Sequence, residues 1–235
     1  VSEGLSTKRS LSVTALRMFA ERGIDAVSLR ELTAAAGQRN KSAAQYHFGT
    51  KEQLVREIFE QHTGTVNQRR WELLAEFGYD TRRLSVQELA GALIRPFAEL
   101  TRPPGGYFLR FLSQVSNPPW VYALTQADPE VTSSLRFVLS TLASRLDRIP
   151  EPVLRTRLSL STTLAVHALA NFEHAAPHDN PVDSARSDLF CANLVDATVG
   201  ILTAPVSETA TQLTHQLADA PAEPAWPWYT RIDAD

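Results

Sequence analysis

An all-α fold is predicted for this chain of 235 residues by three observations. Apolar residues recur at helical spacing and nowhere alternate over a useful length, so extended strands are not expected. Serine or threonine followed three residues later by Glu or Gln, the signature of a helix start, precedes several of these runs. Glycine and proline punctuate them, at Gly23, Gly37, Gly49, Pro177 and Pro181. At 43% hydrophobic and 21% charged residues, the composition is globular and sufficient for one large domain or two small ones.

In the first helix, Leu11, Ala15, Met18, Phe19 and Arg22 share a face, and Gly23 stops it. Ser28 and Glu31 form the capping box of the second, with Val27 and Leu32 at the positions of a hydrophobic staple. Gly37, after three alanines, closes it. A third short helix is expected over 41–47, ending near Gly49. Thr50 and Gln53 then open a long fourth helix bearing Leu54, Ile58 and Val66.

Ser85 and Glu88 cap the next helix, which carries Leu89, Leu93, Phe97 and Leu100 and is expected to kink at Pro96. Loops at "TRPPGG" and "SNPPW" separate helical segments predicted near 107–115 and 128–148. Two long segments, 152–173 and 184–202, flank the loop "HAAPHDNP" and should pack as an antiparallel pair. The end, "APAEPAWPWYTRIDAD", is too rich in proline for a core element. Trp226 and Trp228 would order it only by finding a groove. The organisation expected is therefore a small domain over 1–50, a helical body over 51–204, and a C-terminal helix or proline-rich tail over 205–235.

The net charge of −3 hides an asymmetry: residues 1–51 hold eight cations and four carboxylates, +4, which leaves −7 for the remainder. A basic lobe on an acidic body suits a nucleic-acid binder with a separate second function, although solvated surface charge also produces such skews. Cys191 is alone and cannot form an intramolecular bridge, in keeping with a reducing compartment. Arg22 and Gly23 follow the first apolar run without a small-residue cleavage site, so a signal peptide is not expected and cytoplasm is the default. The uncharged run "LSLSTTLAVHALANF" over 158–172 is too short and too rich in Ser and Thr to cross a bilayer.

Two short helices joined by a glycine turn, the second rich in basic, amide and aromatic side chains, fit a helix-turn-helix. In that motif the leading helix crosses the phosphate backbone and the trailing one enters the major groove, where Arg, Lys, Asn and Gln pair with base edges. Arg39, Asn40, Lys41, Ser42 and Gln45 lie at the start and along one side of the third helix. Tyr46, His47 and Lys51 follow at its exit, placed for sugar and phosphate contacts. A salt-bridged solvent face is the bland alternative.

The segments "ALRMFAERGIDAVSLRELTAAAG" over 15–37 and "YHFGTKEQL" over 46–54 resemble the TetR family of one-component helix-turn-helix transcriptional regulators. The resemblance covers roughly the first fifty-five residues. It implies that Ser28 and Arg30 contact the backbone or a groove edge, that the third helix reads bases, and that Tyr46, His47 and Lys51 anchor phosphates. It also implies a C-terminal helical domain that binds a small molecule and dimerises through its last two long helices, near 152–173 and 184–202. The chain departs from the family pattern by one extra residue between Gly37 and Phe48, and Gln45 stands where an aromatic residue is frequent.

For an effector site the candidates are Phe97, Phe108, Arg110, Phe111, Trp120 and Tyr122. Aromatics at helical spacing are commonly core, and Arg110 either meets a ligand anion or stays at the surface. His174, His178 and Asp179 have the residue types of a metal site, but Pro177 breaks the helix that would align the imidazoles. No metal or cofactor is expected, and no catalytic signature is present in the sequence. The function expected is a ligand-responsive regulator, a repressor released from a palindromic double-stranded DNA operator by a small apolar or amphipathic effector. The alternative is a helical small-molecule binding or protein interaction module without sequence-specific DNA binding.

Overall fold

The computed structural model describes residues 2–78, 83–100, 106–117, 120–124, 127–175 and 184–217. Among them every regular element is helical. The order is α1 (Ser2–Arg22), α2 (Leu29–Ala35), α3 (Ala43–Phe48), α4 (Lys51–Glu76), α5 (Val86–Glu99), α6 (Phe108–Val115), α7 (Trp120–Ala123), α8 (Ser133–Arg145), α9 (Glu151–Ala175), α10 (Ser184–Thr203) and α11 (Glu208–Leu217), with a 3-10 turn over Pro129–Thr132 before α8.

The capping residues expected from sequence are in place. Ser28 and Ser85 form full capping boxes with Glu31 and Glu88, and Thr50 accepts the Gln53 amide at 3.2 Å. Each satisfies amides that a helix start leaves without partners. Pro96 lies inside α5, which continues to Glu99.

Two segments differ from expectation. The third helix begins at Ala43 rather than 41, because Lys41 and Ser42 belong to the turn that absorbs the extra residue. The 128–148 segment divides at Thr132. Asp128 caps the 3-10 turn through the Glu130 amide at 2.9 Å, and Arg136 donates to Pro129 O at 2.7 Å and Thr132 Oγ1 at 3.2 Å, which holds the bend. At the other end, α11 occupies the first part of the 205–235 segment and packs on α9. Trp226 and Trp228 lie outside the described residues.

One apolar core runs through the small domain and the body. Phe19 of α1 stacks on Phe111 of α6 at 6.3 Å, Phe111 meets Phe108 at 6.1 Å, and Phe108 stacks on His62 of α4 at 4.8 Å. Burial lowers the pKa of His62, which favours a neutral ring in this stack. Helix α4 buries Leu54, Val55, Ile58, Phe59, Val66, Leu73 and Leu74 along one stripe and so belongs to both regions. Helices α9 and α10 are antiparallel: Phe172 stacks on Phe190 at 4.3 Å near one end, and Arg157 Nη1 donates to Leu202 O at 3.2 Å near the other.

Candidate nucleic-acid interface and internal cavity

The amino-terminal face is built by local hydrogen bonds. Ser28 donates its amide and its hydroxyl to Glu31 Oε2 at 2.9 and 2.8 Å, and its hydroxyl accepts the Glu31 amide at 3.2 Å. Those bonds from Ser28, with Arg22 at 3.0 Å from Glu31 Oε1, hold the Glu31 carboxyl down to about 2. Helix α2 ends in a Schellman turn, in which Gln38 N donates to Thr33 O at 3.1 Å and Gly37 N to Ala34 O at 3.0 Å, with Gly37 at φ 67°.

Thr33 ties the two short helices together. Its buried hydroxyl donates to Leu29 O at 2.7 Å and accepts the Ala44 amide at 3.3 Å. Buried Ala43 and Ala44, with no bulk beyond Cβ, let α3 approach this closely. In the preceding turn, Asn40 Oδ1 accepts the Ser42 amide at 3.0 Å and Asn40 O accepts the Ala43 amide at 3.0 Å. Asn40 therefore shapes the turn through its own side chain.

The residues singled out from sequence fall into two groups. Arg30 on α2, and Arg39, Lys41, Ser42, Gln45 and Tyr46 on or beside α3, are exposed, Tyr46 to 83%. His47 is half-buried, with its ring at the edge of Tyr46 at 5.2 Å. Ser28 has its hydroxyl engaged in the capping box. Lys51 turns inward: Nζ donates to Ile24 O at 3.0 Å and Asp25 O at 3.5 Å, and it stands 5.7 Å from the centroid of the Trp120 ring.

The loop that receives Lys51 is held from the body as well. Gln114 of α6 donates Nε2 to Phe19 O at 2.9 Å and accepts the Ile24 amide on Oε1 at 3.0 Å, spanning the end of α1. Trp120 of α7 donates Nε1 to Asp25 Oδ1 at 3.1 Å. Sequence reasoning missed Gln114 and Thr33, because their partners lie elsewhere in the chain and neither sits in a recognisable motif.

Further into the body, α4, α5, α6, α8, α9 and α10 line a cavity of about 60 Å³ that opens to the surface beside His167. Its apolar wall includes Phe59, Leu93, Phe97, Leu112 and Val166. Thr63, Ser161 and Thr198 also line it, and their buried hydroxyls have no hydrogen-bond partner. Against Phe97 lies Arg70, 1% exposed, with its guanidinium carbon 5.4 Å from the ring centroid. Arg70 donates Nε to Ala92 O at 2.8 Å and Nη1 to Ser134 Oγ at 3.1 Å, while Nη2 is unpartnered. Burial alone lowers its pKa to about 10, so it remains a cation at neutral pH.

Of the effector candidates, Phe97 lines this cavity. Phe108 and Phe111 are core residues between α1, α4 and α6, and Trp120 is bonded to Asp25. The side chain of Tyr122 lies outside the described residues. Arg110 is neither at the cavity nor free on the surface: it stacks on Tyr107 at 4.8 Å and its Nε lies 3.5 Å from the buried Glu173 carboxylate. Glu173 Oε2 accepts the Arg110 amide at 3.1 Å, so α9 caps the start of α6. Burial outweighs these attractions and pushes the Glu173 carboxyl up to about 7. His174 Nδ1 is 3.3 Å from Arg110 Nη1, and His178 and Asp179 lie outside the described residues. Among the described residues no group of three His, Cys, Asp or Glu side chains is placed to hold a metal ion, and no single helix is long and apolar enough to cross a membrane.

Two short helices locked by Thr33, with basic and amide side chains on the free face, define a helix-turn-helix domain mounted on a helical body. Residues 12–58 match the family described as bacterial regulatory proteins, tetR family. The match spans α2, α3 and parts of α1 and α4, and over these residues the chain is similar to that family.

Solved structures similar to the chain include a protein assigned to the TetR family of transcriptional regulators from Mesorhizobium loti MAFF303099, 17% identical over 84% of this chain and 97% of that one, with a TM-score of 0.47. AibR, in a complex with isovaleryl coenzyme A and operator DNA, is 15% identical over 85% of this chain and 100% of its own, with a TM-score of 0.42. A TetR-family regulator from Streptomyces coelicolor A3, SCO0857, is 19% identical over 84% and 94%, with a TM-score of 0.39. No curated protein matches the chain.

Proposed function

We propose that the chain is a ligand-responsive transcriptional regulator of the cytoplasm, a homodimer that represses from a palindromic operator and is released by a small effector bound in the body. The observation that carries this reading is the double hydrogen bond of Gln114. Leu112 of the same helix and its capping residue Ser116 line the cavity wall, so a ligand that shifts α6 acts directly on the end of α1 and on the orientation of α2 and α3. Ligand and DNA then favour different arrangements, and each weakens the other by linkage, typically by about 1 to 3 kcal/mol.

Dimerisation through α9 and α10 is supported by Leu160, Leu164 and Leu189, which are 54%, 37% and 65% exposed on these two helices. Two-fold symmetry would set two α3 helices in successive major grooves. Arg30, Arg39, Lys41, Ser42, Gln45, Tyr46 and His47 form the contact set. Asn40 sets the turn that aims α3. Lys51 and the Ser28 capping box hold the loop and helix beneath that set.

Selection of operator DNA from a random pool, followed by a salt titration of affinity, tests the reading. Binding should weaken roughly a thousandfold between low and physiological salt if about six or more phosphates are contacted. Gln45→Ala should relax sequence preference, and Lys41→Ala should weaken all sequences and reduce the salt slope by about one. Binding without salt dependence, or no sequence enriched from the pool, would overturn the assignment.

A further inference from the structure

We infer that the cavity takes an uncharged molecule with a short apolar body and one hydrogen-bonding head, such as a small ketone, amide or alcohol, held by the hydroxyls of Thr63, Ser161 and Thr198. This rests on the cavity being the effector site and names the effector's chemical class.

The hydroxyls carry the argument. A helical Ser or Thr can satisfy its hydroxyl on the carbonyl one turn back, and two residues of the same wall do so: Ser116 on Leu112 O at 2.7 Å and Thr162 on Leu158 O at 3.0 Å. Thr63, Ser161 and Thr198 do not, although all three are buried. They come from three different helices, α4, α9 and α10, and line one cavity. Buried hydroxyls without partners are costly, and valine or alanine would avoid the cost at each position. A ligand carbonyl, amide or hydroxyl supplies the missing partner.

Charge and size narrow the class. No Asp, Glu, Lys or Arg is among the described residues lining the cavity, and its titratable member, His167, is exposed. The Arg70 cation packs against the Phe97 ring rather than lining the cavity, with two of its three nitrogens engaged. A carboxylate entering the cavity would lose its hydration without gaining a counter-ion. The volume of about 60 Å³ is less than half of the roughly 150 Å³ cavity known to accept benzene, which points to a short chain.

Three nearly isosteric probes of four heavy atoms separate the possibilities: acetone, acetamide and acetate, titrated by ligand-observed NMR against the full chain. Acetone and acetamide should bind, with acetate at least about tenfold weaker. Thr198→Val and Ser161→Ala should each weaken the ketone by about three- to tenfold and raise the unfolding midpoint of the ligand-free protein, which a merely structural hydroxyl would not do. Ala165→Phe, filling the cavity, should abolish binding in a chain that still unfolds cooperatively.

Acetate binding as tightly as the neutral probes would overturn the class and make Arg70 the anchor. So would unchanged ketone affinity in both hydroxyl variants, failure of both neutral probes to bind, or binding that survives Ala165→Phe. The regulator reading fails separately. Neutral probes that bind here yet leave operator affinity unchanged would refute it and keep the ligand class, whereas operator release by charged compounds alone would refute the class and keep the regulator.

Discussion

Thr33 and Thr198 are both buried threonines on helices, each 1% exposed. In the amino-terminal domain the Thr33 hydroxyl makes two hydrogen bonds and joins α2 to α3. In the body the Thr198 hydroxyl makes none. The contrast extends to the regions around them. Among the described residues, every buried side-chain polar atom without a partner belongs to the body: Thr63, Arg70, Arg110, Ser161, Glu173 and Thr198. The amino-terminal domain, which on the proposed function presents a fixed face to DNA, has its internal bonds complete. The body, proposed to respond to an effector, keeps bonding capacity in reserve, and with it the means to prefer a second arrangement.

The largest expected effect tests whether the two regions are separable. Phe48→Ala removes a fully buried ring from the amino-terminal domain and should cost about 3–5 kcal/mol. Because the core is continuous through Phe19 and Phe111, denaturant should still unfold the chain in one transition at a lower midpoint. Two separated transitions would divide the molecule.

Glu173 comes next. Its folded pKa of about 7 lies above the ordinary 4.5, so its contribution favours folding below pH 4.5 and is lost as pH rises through 7. Glu173→Gln keeps an acceptor for the Arg110 amide and removes that loss. Above pH 7 the variant should exceed the wild type by something on the order of 2 kcal/mol, with the advantage vanishing in acid. A difference between the two unfolding curves that does not change with pH would place the cost of this carboxylate elsewhere.

The paired threonines provide the finest test. Thr33→Val should destabilise by about 1–3 kcal/mol, since it leaves the buried Ala44 amide without its acceptor. Thr198→Val, the same substitution at the same burial, should stabilise by up to about 1 kcal/mol. Equal losses in chemical denaturation would abolish the distinction between the regions.

Legibility in the sequence follows the same division. Ser28, Thr50 and Ser85 announced their helices because a cap and its partner are three residues apart, and that spacing survives any tertiary context. Gly23 and Gly37 marked helix ends for a similar reason, both having positive φ. The start of α3 was misplaced by two residues because Asn40 adds an Asx turn that competes with helical geometry. The single helix expected over 128–148 is broken by a bend whose brace, Arg136, gives no sequence signal. Aromatic residues were poor guides to the cavity. Phe108, Phe111 and Trp120 obey packing and the needs of the α1–α2 loop, whereas the cavity is marked by hydroxyls that come together only when helices distant in sequence meet.

Helix α4 starts beneath α3 and runs without interruption past Thr63 to Glu76, 26 residues in all, or about 39 Å at the usual rise. Its continuity makes the two regions exchangeable only in phase. One residue inserted between Phe59 and Thr63 would rotate everything before it by about 100° relative to the body, turning α3 away from the direction it now faces. Recombination with another chain of this architecture would therefore succeed at junctions that preserve the count along α4. Shuffled hybrids could be sorted by that count before any were made.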